Sequence, residues 1–408
     1  MEIHHPLADG LVLRTAGPAD LDQIAALLTD RGDQVDAVDH RLIVSDPEVG
    51  WEACAVVVDG DRVVSTASLL DEVLWLAGQP IPAGQVELVA TARDYEGRGL
   101  VRALMGWAHE CSAARGHLAQ IMIGIPYFYR QFGYSYAIPL ATGRPLTAAP
   151  PAAPGHQVHE ATAAEIPAMA ALQEAAQAGA QLRMPHSPSS WRWLVAHDAT
   201  QQWLVTRDGA PVATGRTGVG SAGVRLAELA ATDSASAYAL VAHAASLARE
   251  PADPPPVRVY ERPGTVGDAA LAGYLGPVAD QPQRYYARVP DPAALLAQLR
   301  PVLSARLAGS EFAEASGELV LSFYRSHLRL PYQAGTVGAP ILGGTMQWVG
   351  SDGAAVPPDL LPSLLFGTDG FAGLARIHPD VSAGAHAAGL MAVLFPPVHG
   401  DLLSYYLP

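Results

Sequence analysis

VELVATARDYEGRGLVR, residues 86–102, is the stretch on which the reading of this 408-residue chain turns. Residues 85–91 (QVELVAT) form an apolar strand candidate. Gly97 and Gly99 then let the backbone turn tightly and expose successive N–H groups, and a helical pattern runs from about Leu100 to Arg115. A glycine turn at a helix N-terminus grips a pyrophosphate through backbone hydrogen bonds and the helix dipole. Arg98 and Arg102 stand close enough in sequence to add charge-assisted contacts to phosphate. A second element follows at a suitable distance. Residues 119–125 (AQIMIGI) read as a buried strand that ends in GIPYFYRQFGY, residues 124–134. The two elements would lie side by side, with Tyr129 near the strand end.

Outward from this stretch, residues 11–16 alternate like an edge strand, and Pro18-Ala19-Asp20-Leu21 opens a helical pattern through Leu28 with Asp20 as its N-cap. Residues 53–58 and 62–69 are strand-like runs joined across Asp59-Gly60-Asp61, a hairpin signal. After a Pro- and Ala-rich linker at 144–156 the pattern begins again. A helix opens over His159–Ile166, strands 203–206 and 211–215 pair across Asp208-Gly209, strand 225–232 follows, and a helix runs from Ser234 to about Arg249. This weak repeat indicates two related units. In the second, the strand runs straight into Asp233-Ser234-Ala235 with no glycine pair and no arginine, so no such grip on a pyrophosphate is expected there. Gly218–Gly223 fits a dinucleotide fingerprint on paper, but it sits between two strand-like runs and reads as a hairpin loop. From Asp291 the character changes to a third α+β unit: a helix over 292–306, strands 318–323 and 326–330, and a helix near 358–366.

Composition bounds the function. The net charge of −15 argues against a sequence-independent grip on nucleic acid and is compatible with a site that attracts cations. No apolar run is long enough to span a bilayer, and the first residues do not read as a secretion signal, so no membrane contact and a cytoplasmic location are expected. Cys54 and Cys111 are isolated thiols, and the 14 histidines show no paired ligand spacing, so neither a disulfide framework nor a metal is expected. The chain has no lysine and no asparagine; every fixed side-chain cation is an arginine.

The segment Val86–Ala137 resembles the Gcn5-related N-acetyltransferase (GNAT) superfamily. Asp94-Tyr95-Glu96-Gly97-Arg98-Gly99 is similar to its phosphate loop, with Asp94 departing from the usual first residue. Phe128–Tyr134 is similar to its second signature. The overall layout resembles the Eis-like (enhanced intracellular survival) subgroup. That resemblance implies an α/β (α+β) chain of tandem GNAT domains, each a mixed sheet flanked by helices: an active one over residues 1–145 and a degenerate one over 146–290. A sterol-carrier-protein-2-like domain would fill 291–408 and end at the active site.

The resemblance further implies an acetyl-CoA-dependent N-acetyltransferase, with acetyl-CoA as cosubstrate and no metal. Cofactor contacts carry over to Val89, Ala90, Thr91, Gly97, Arg98, Gly99, Leu100, Val101, Arg102, Gly124 and Ile125. The general acid falls on Tyr129 and the general base on the terminal carboxylate of Pro408, with Glu87 as the competing base. Asp30 would meet a cationic acceptor, and a small-molecule amine, aminoglycoside-like or a natural product, is the implied acceptor. The subgroup's hexamers imply a homo-oligomer. The alternative from a different class is a ligand-binding or regulatory protein that keeps the fold without turnover.

Overall fold

The structure is a computed structural model and describes residues 4–220, 223–248, 256–278, 283–346 and 349–404. The first part of the chain runs β1 (His4–Pro6), β2 (Val12–Thr15), α1 (Leu21–Arg31), α2 (Gln34–Ser45), β3 (Cys54–Asp59), β4 (Arg62–Leu76), β5 (Gln79–Thr91), α3 (Leu100–Ala114), β6 (Ala119–Met122) and β7 (Ser135–Pro139). The second runs β8 (Gly143–Pro145), β9 (His156–Glu160), α4 (Ile166–Gln177), β10 (Leu182–Met184), α5 (Pro188–Ala196), β11 (Gln201–Arg207), β12 (Ala210–Gly220), β13 (Gly223–Ala231), α6 (Ser234–Ser246), β14 (Val257–Tyr260), α7 (Val266–Leu271) and β15 (Arg284–Arg288). The last holds α8 (Pro292–Gln298), α9 (Arg300–Ala308), β16 (Ser316–Ser322), β17 (His327–Gln333), β18 (Thr336–Val337), β19 (Ile341–Gly343) and β20 (Gly353–Ala355). It continues with α10 (Leu361–Phe366), α11 (Gly370–Ile377), β21 (Ser382–Ala383), α12 (Ala387–Leu394) and β22 (Gly400–Leu402).

These strands form three mixed sheets. The first has the order β1-β2-β3-β4-β5-β6-β15-β7, with β10 pairing both β4 and β22. The second is β8-β14-β13-β12-β11-β9, and the third is β18-β17-β16-β20-β21, with β19 on β17. The first sheet packs on α1, α2 and α3; its far end buries Leu74, Ile81, Ile121 and Tyr285 against the last part of the chain. There Leu295, Leu299, Leu303 and Leu307 recur every fourth residue along α8 and α9, all buried. Each contributes about 1.5–3 kcal/mol on full burial.

The strand pairing corrects several sequence readings. β4 and β5 form one long hairpin closed at Ala77-Gly78, both at positive φ (47° and 84°). The sequence places the start of β5 late because Pro80 and Pro82 speak against a strand. They are tolerated because the Pro82 carbonyl faces away from β4 and accepts from the Leu118 N–H, so the missing donors are not needed by the β4 ladder. Asp20 precedes α1 but does not cap it. Its carboxylate turns back to the Gly17 N–H and to Arg14, both near 2.7–2.8 Å. His159 and Glu160, read as the opening of a helix, end strand β9, and the helix starts at Ile166. The expected helix over 292–306 is two helices broken at Leu299, ahead of Pro301. Within the expected linker, Arg144 and Pro145 belong to β8, which pairs with β14.

The largest difference is β15. It lies near the end of the segment read as the second unit, yet it inserts between β6 and β7 of the first sheet, antiparallel to both. Nothing local in Arg-Tyr-Tyr-Ala-Arg announces that partner choice, because strand pairing is nonlocal. No helix among the described residues is long and apolar enough to cross a membrane.

Candidate active site

β5 and β6 run parallel only from Ala83↔Ala119 to Gln85↔Ile121. Beyond that, β5 carries a bulge. Glu87 faces Ser68 and Ala90 faces Thr66, so Leu88 and Val89 together span one residue of β4. Leu88 takes φ +53°, an unusual value for a leucine, and the extra residue swings the end of β5 away from β6. The wedge so opened is bordered by Val89, Ala90 and Thr91 on one side and by Gly124 and Ile125 on the other.

At the top of the wedge the chain passes through Gly97 and Gly99, at φ +77° and +81°. A Cβ at either would meet nothing within 4 Å, so the backbone conformation is what demands glycine. Gly99 is the N-cap of α3 and brings no side chain to its free N–H groups, which leaves those of Leu100, Val101 and Arg102 for a ligand. Arg98 lies over the Tyr95 ring at 4.5 Å and donates to the Asp94 carbonyl. Arg102 donates to Gln131 at 3.1 Å. Both guanidinium groups are exposed, and neither is paired with a carboxylate among the described residues. An exposed left-handed glycine turn, an uncapped helix start and two exposed arginines without a carboxylate partner fit a diphosphate.

Tyr129 sits in the 3-10 helix Phe128–Phe132, its side chain 4% exposed. Its ring lies against Gly124 so closely that a Cβ there would stand 2.3 Å from Cε2. Gly124 is therefore required by the ring. Gly124→Ala should displace it and lower kcat by about 10–100-fold with the fold intact. Steady-state rates alongside circular dichroism measure this, and an unchanged kcat would show that the ring's position does not matter. Burial, helped by the charge of Glu87, pushes the Tyr129 phenol well above its ordinary value, so it keeps its proton at neutral pH.

Glu87, on β5 ahead of the bulge, is 3% exposed and accepts from the Gln85 amide at 2.5 Å. Desolvation by burial outweighs that hydrogen bond and raises its pKa to about 8, with Asp39, Asp36 and Glu72 adding repulsion. Glu72 is likewise pushed up to about 8 by burial and by Asp71. Asp39, on α2, is buried and bonded to His197 at 2.9 Å. The result is a group of carboxylates around Glu87 that the sequence reading did not assemble. Glu72 carries a faint signal: it interrupts the apolar side of an alternating strand between Leu70 and Leu74.

Of the residues singled out by sequence, the structure groups Glu87, Val89, Ala90, Thr91, Gly124, Ile125 and Tyr129 around the wedge and Gly97–Arg102 at its mouth. Asp30 is not with the acidic group. It is exposed at the end of α1, and Arg93 pairs with its carboxylate at 3.5 Å. Pro408 lies outside the described residues.

The second sheet repeats the wedge without its equipment. Glu228, at φ +57°, makes the same bulge, with Ala227 facing Arg216 and Ala230 facing Thr214. Arg262 reaches across the gap to the Leu229 carbonyl at 3.3 Å. The helix start of α6 is filled by its own cap, the Asp233 carboxylate, which accepts from Ser236 N–H at 2.8 Å. That bond holds Asp233 down at about 2, so a negative charge stands where a phosphate would have to go. Between the sheets lies a cavity of about 510 Å³, lined among others by Arg216, Glu228, Arg262, Tyr285, Asp401 and Ser404.

Residues 13–137 match the family described as an acetyltransferase (GNAT) domain. Among solved structures, the chain is similar to a GCN5-related N-acetyltransferase from Kribbella flavida, with 21% identity and a TM-score of 0.68 over 97% of this chain and 98% of that one. It is similar to a GCN5-related N-acetyltransferase from Anabaena variabilis, at 15% identity and 0.68 over 96% and 99%. Eis1 from Mycobacterium abscessus follows at 18% identity and 0.60 over 96% and 99%. At these identities the likeness establishes the fold, and it does so over nearly the whole length. No curated protein sequence matches the chain.

Proposed function

We propose that this chain, whose residues 13–137 are a GNAT acetyltransferase domain, transfers the acetyl group of acetyl-CoA to an amine of a small cationic molecule. The observation that carries the reading is the placing of Glu87 and Tyr129 about one wedge, below a glycine turn whose amides are free. In this reading Gly97–Arg102 bind the diphosphate, and β5 and β6 hold the pantetheine arm between them.

Direct transfer needs a neutral amine, a polarised thioester carbonyl and a proton donor for the departing thiolate. Glu87 accepts the proton of the incoming ammonium; with its pKa at about 8 it is a stronger base than an ordinary carboxylate. The backbone N–H groups freed where β5 leaves β6 donate to the thioester oxygen as charge gathers on it. Tyr129, still protonated, gives its proton to sulfur, and the second proton that the nitrogen sheds as the amide forms restores the phenol. No covalent enzyme intermediate is required. Asp36 and Asp39 add negative charge near Glu87 and favour a cationic acceptor. The terminal carboxylate of Pro408, the base that the resemblance implies and with which Glu87 competes, lies outside the described residues and plays no part in this account.

Calorimetry with acetyl-CoA, followed by thiol-release assays over a panel of amines, tests the proposal. Uptake of acetyl-CoA with turnover on cationic amines is expected. Uptake without turnover on any amine would favour a binding or regulatory protein, and no uptake would end the assignment.

A further inference from the structure

The proposed acid stands on a short loop, and the side chains that fix the loop come from two other strands. Tyr127, two residues ahead of Tyr129, takes φ +70°, a left-handed conformation that a tyrosine holds only when its surroundings impose it. Tyr127 is itself exposed, so its own side chain does not impose it. The loop is instead held through its backbone. Its N–H donates to the Tyr136 hydroxyl at 3.4 Å, and the Ile125 carbonyl accepts from the Tyr286 hydroxyl at 3.2 Å. The two hydroxyls lie 2.9 Å apart. Each phenol has one proton, and a carbonyl only accepts, so one arrangement satisfies all three bonds. Tyr286 donates to Ile125, and Tyr136 donates to Tyr286 while accepting from Tyr127.

The rings reinforce this chain. Tyr286 stacks on Tyr136 with centroids 4.1 Å apart and meets the Tyr129 ring edge-on at 5.9 Å. Tyr286 is fully buried, abreast of Met122 on one side and Tyr136 on the other. With Gly124 beneath and Tyr286 at its edge, the Tyr129 ring has little room to move.

We infer that Tyr286, carried in by the inserted strand β15, is a positioning residue for the acyl-transfer centre: with Tyr136 it clamps residues 125–127 and so sets the phenol of Tyr129. The inference rests on the reading of Tyr129 as the acid. It assigns to a residue 157 positions downstream a part in the chemistry of the first sheet.

A double-mutant cycle on the full chain tests it. Tyr286→Phe keeps the ring and the stack but deletes the hydroxyl. In the parent protein it should lower kcat by about tenfold and leave KM for acetyl-CoA within about twofold. In a Tyr129→Phe background the same substitution should change the residual kcat by less than about twofold, because the phenol it positions is gone. An equal loss in both backgrounds, or no loss in the parent, overturns the clamp. A general loosening of the fold would give the equal loss. Tyr136→Phe, which removes the middle hydroxyl from a different strand, should reproduce the pattern and replaces Tyr286→Phe should that variant fail to fold. Tyr129→Phe alone separates the two ideas. A collapse of its rate with additive effects of Tyr286→Phe removes the clamp and keeps the acid. An unchanged rate removes the acid, and the clamp with it.

Discussion

Tyr129→Phe is expected to lower kcat for acetyl transfer by about 10²–10⁴-fold, the usual worth of a positioned general acid. The substitution removes one oxygen and keeps the ring, so its contacts with Phe128, Phe132 and Tyr286 persist. Binding of acetyl-CoA, measured by calorimetry, should be nearly unchanged, because the site proposed for the diphosphate, Gly97–Arg102, is on a different segment. The loss belongs in kcat, since the phenol acts only as charge builds on sulfur. Donors with a better leaving group need less protonation. An activated thioester should therefore recover part of the lost rate. A rate within about twofold of the parent would show that Tyr129 is not the acid.

Glu87→Gln should cost a similar factor, about 10²–10⁴-fold, and should reshape the pH profile as well. In the parent, Glu87 must be ionised to accept the amine's proton. With its pKa at about 8, the rate should rise with pH and level off above that value. The limb should stay near pH 8 across acceptors of differing basicity, and the glutamine variant should lack it. A limb that follows the acceptor's own pKa, or one retained in the variant, points to another base. Stability should move in the opposite direction from activity. Glu87 ionises at an ordinary value near 4.5 in the unfolded chain but at about 8 in the folded one. Between those values the native state holds a proton that the unfolded state has released, so stability falls as pH rises through the window. Glu87→Gln removes that penalty, and its gain in Tm over the parent should grow from pH 5 to pH 8. Glu72, raised for the same reason, leaves the same slope in both proteins.

The parts of the site that could be read in the sequence are those that local chemistry dictates. Gly97 and Gly99 are legible because a left-handed turn leaves few alternatives to glycine, and Tyr129 because Phe128–Tyr134 resembles the family's second signature. The second unit's lack of a phosphate turn is legible for the same reason: Asp233 announces a self-capped helix. What escaped depends on pairing across the chain. Asp39 and Glu72 act on the charge of Glu87 only once α2 and β4 are folded, and Tyr286 is next to Tyr129 only because β15 enters the first sheet. Asp30, given a cationic acceptor only by the resemblance, is exposed and paired with Arg93. The bulge at Leu88, which creates the wedge, leaves no mark in composition because leucine is an unlikely residue for a positive φ.

The insertion of β15 also sets an order of events during synthesis. When the ribosome has made β7, the neighbouring place in the first sheet is still empty, and β6 and β7 present unpaired edges. The strand that fills the gap is completed only at Arg288, and at about 5–20 residues per second the wait lasts on the order of ten seconds or more. Over that interval the nascent first sheet keeps strand edges exposed. A polysome caught within it should carry a chain in which Tyr286 has not yet reached Tyr129.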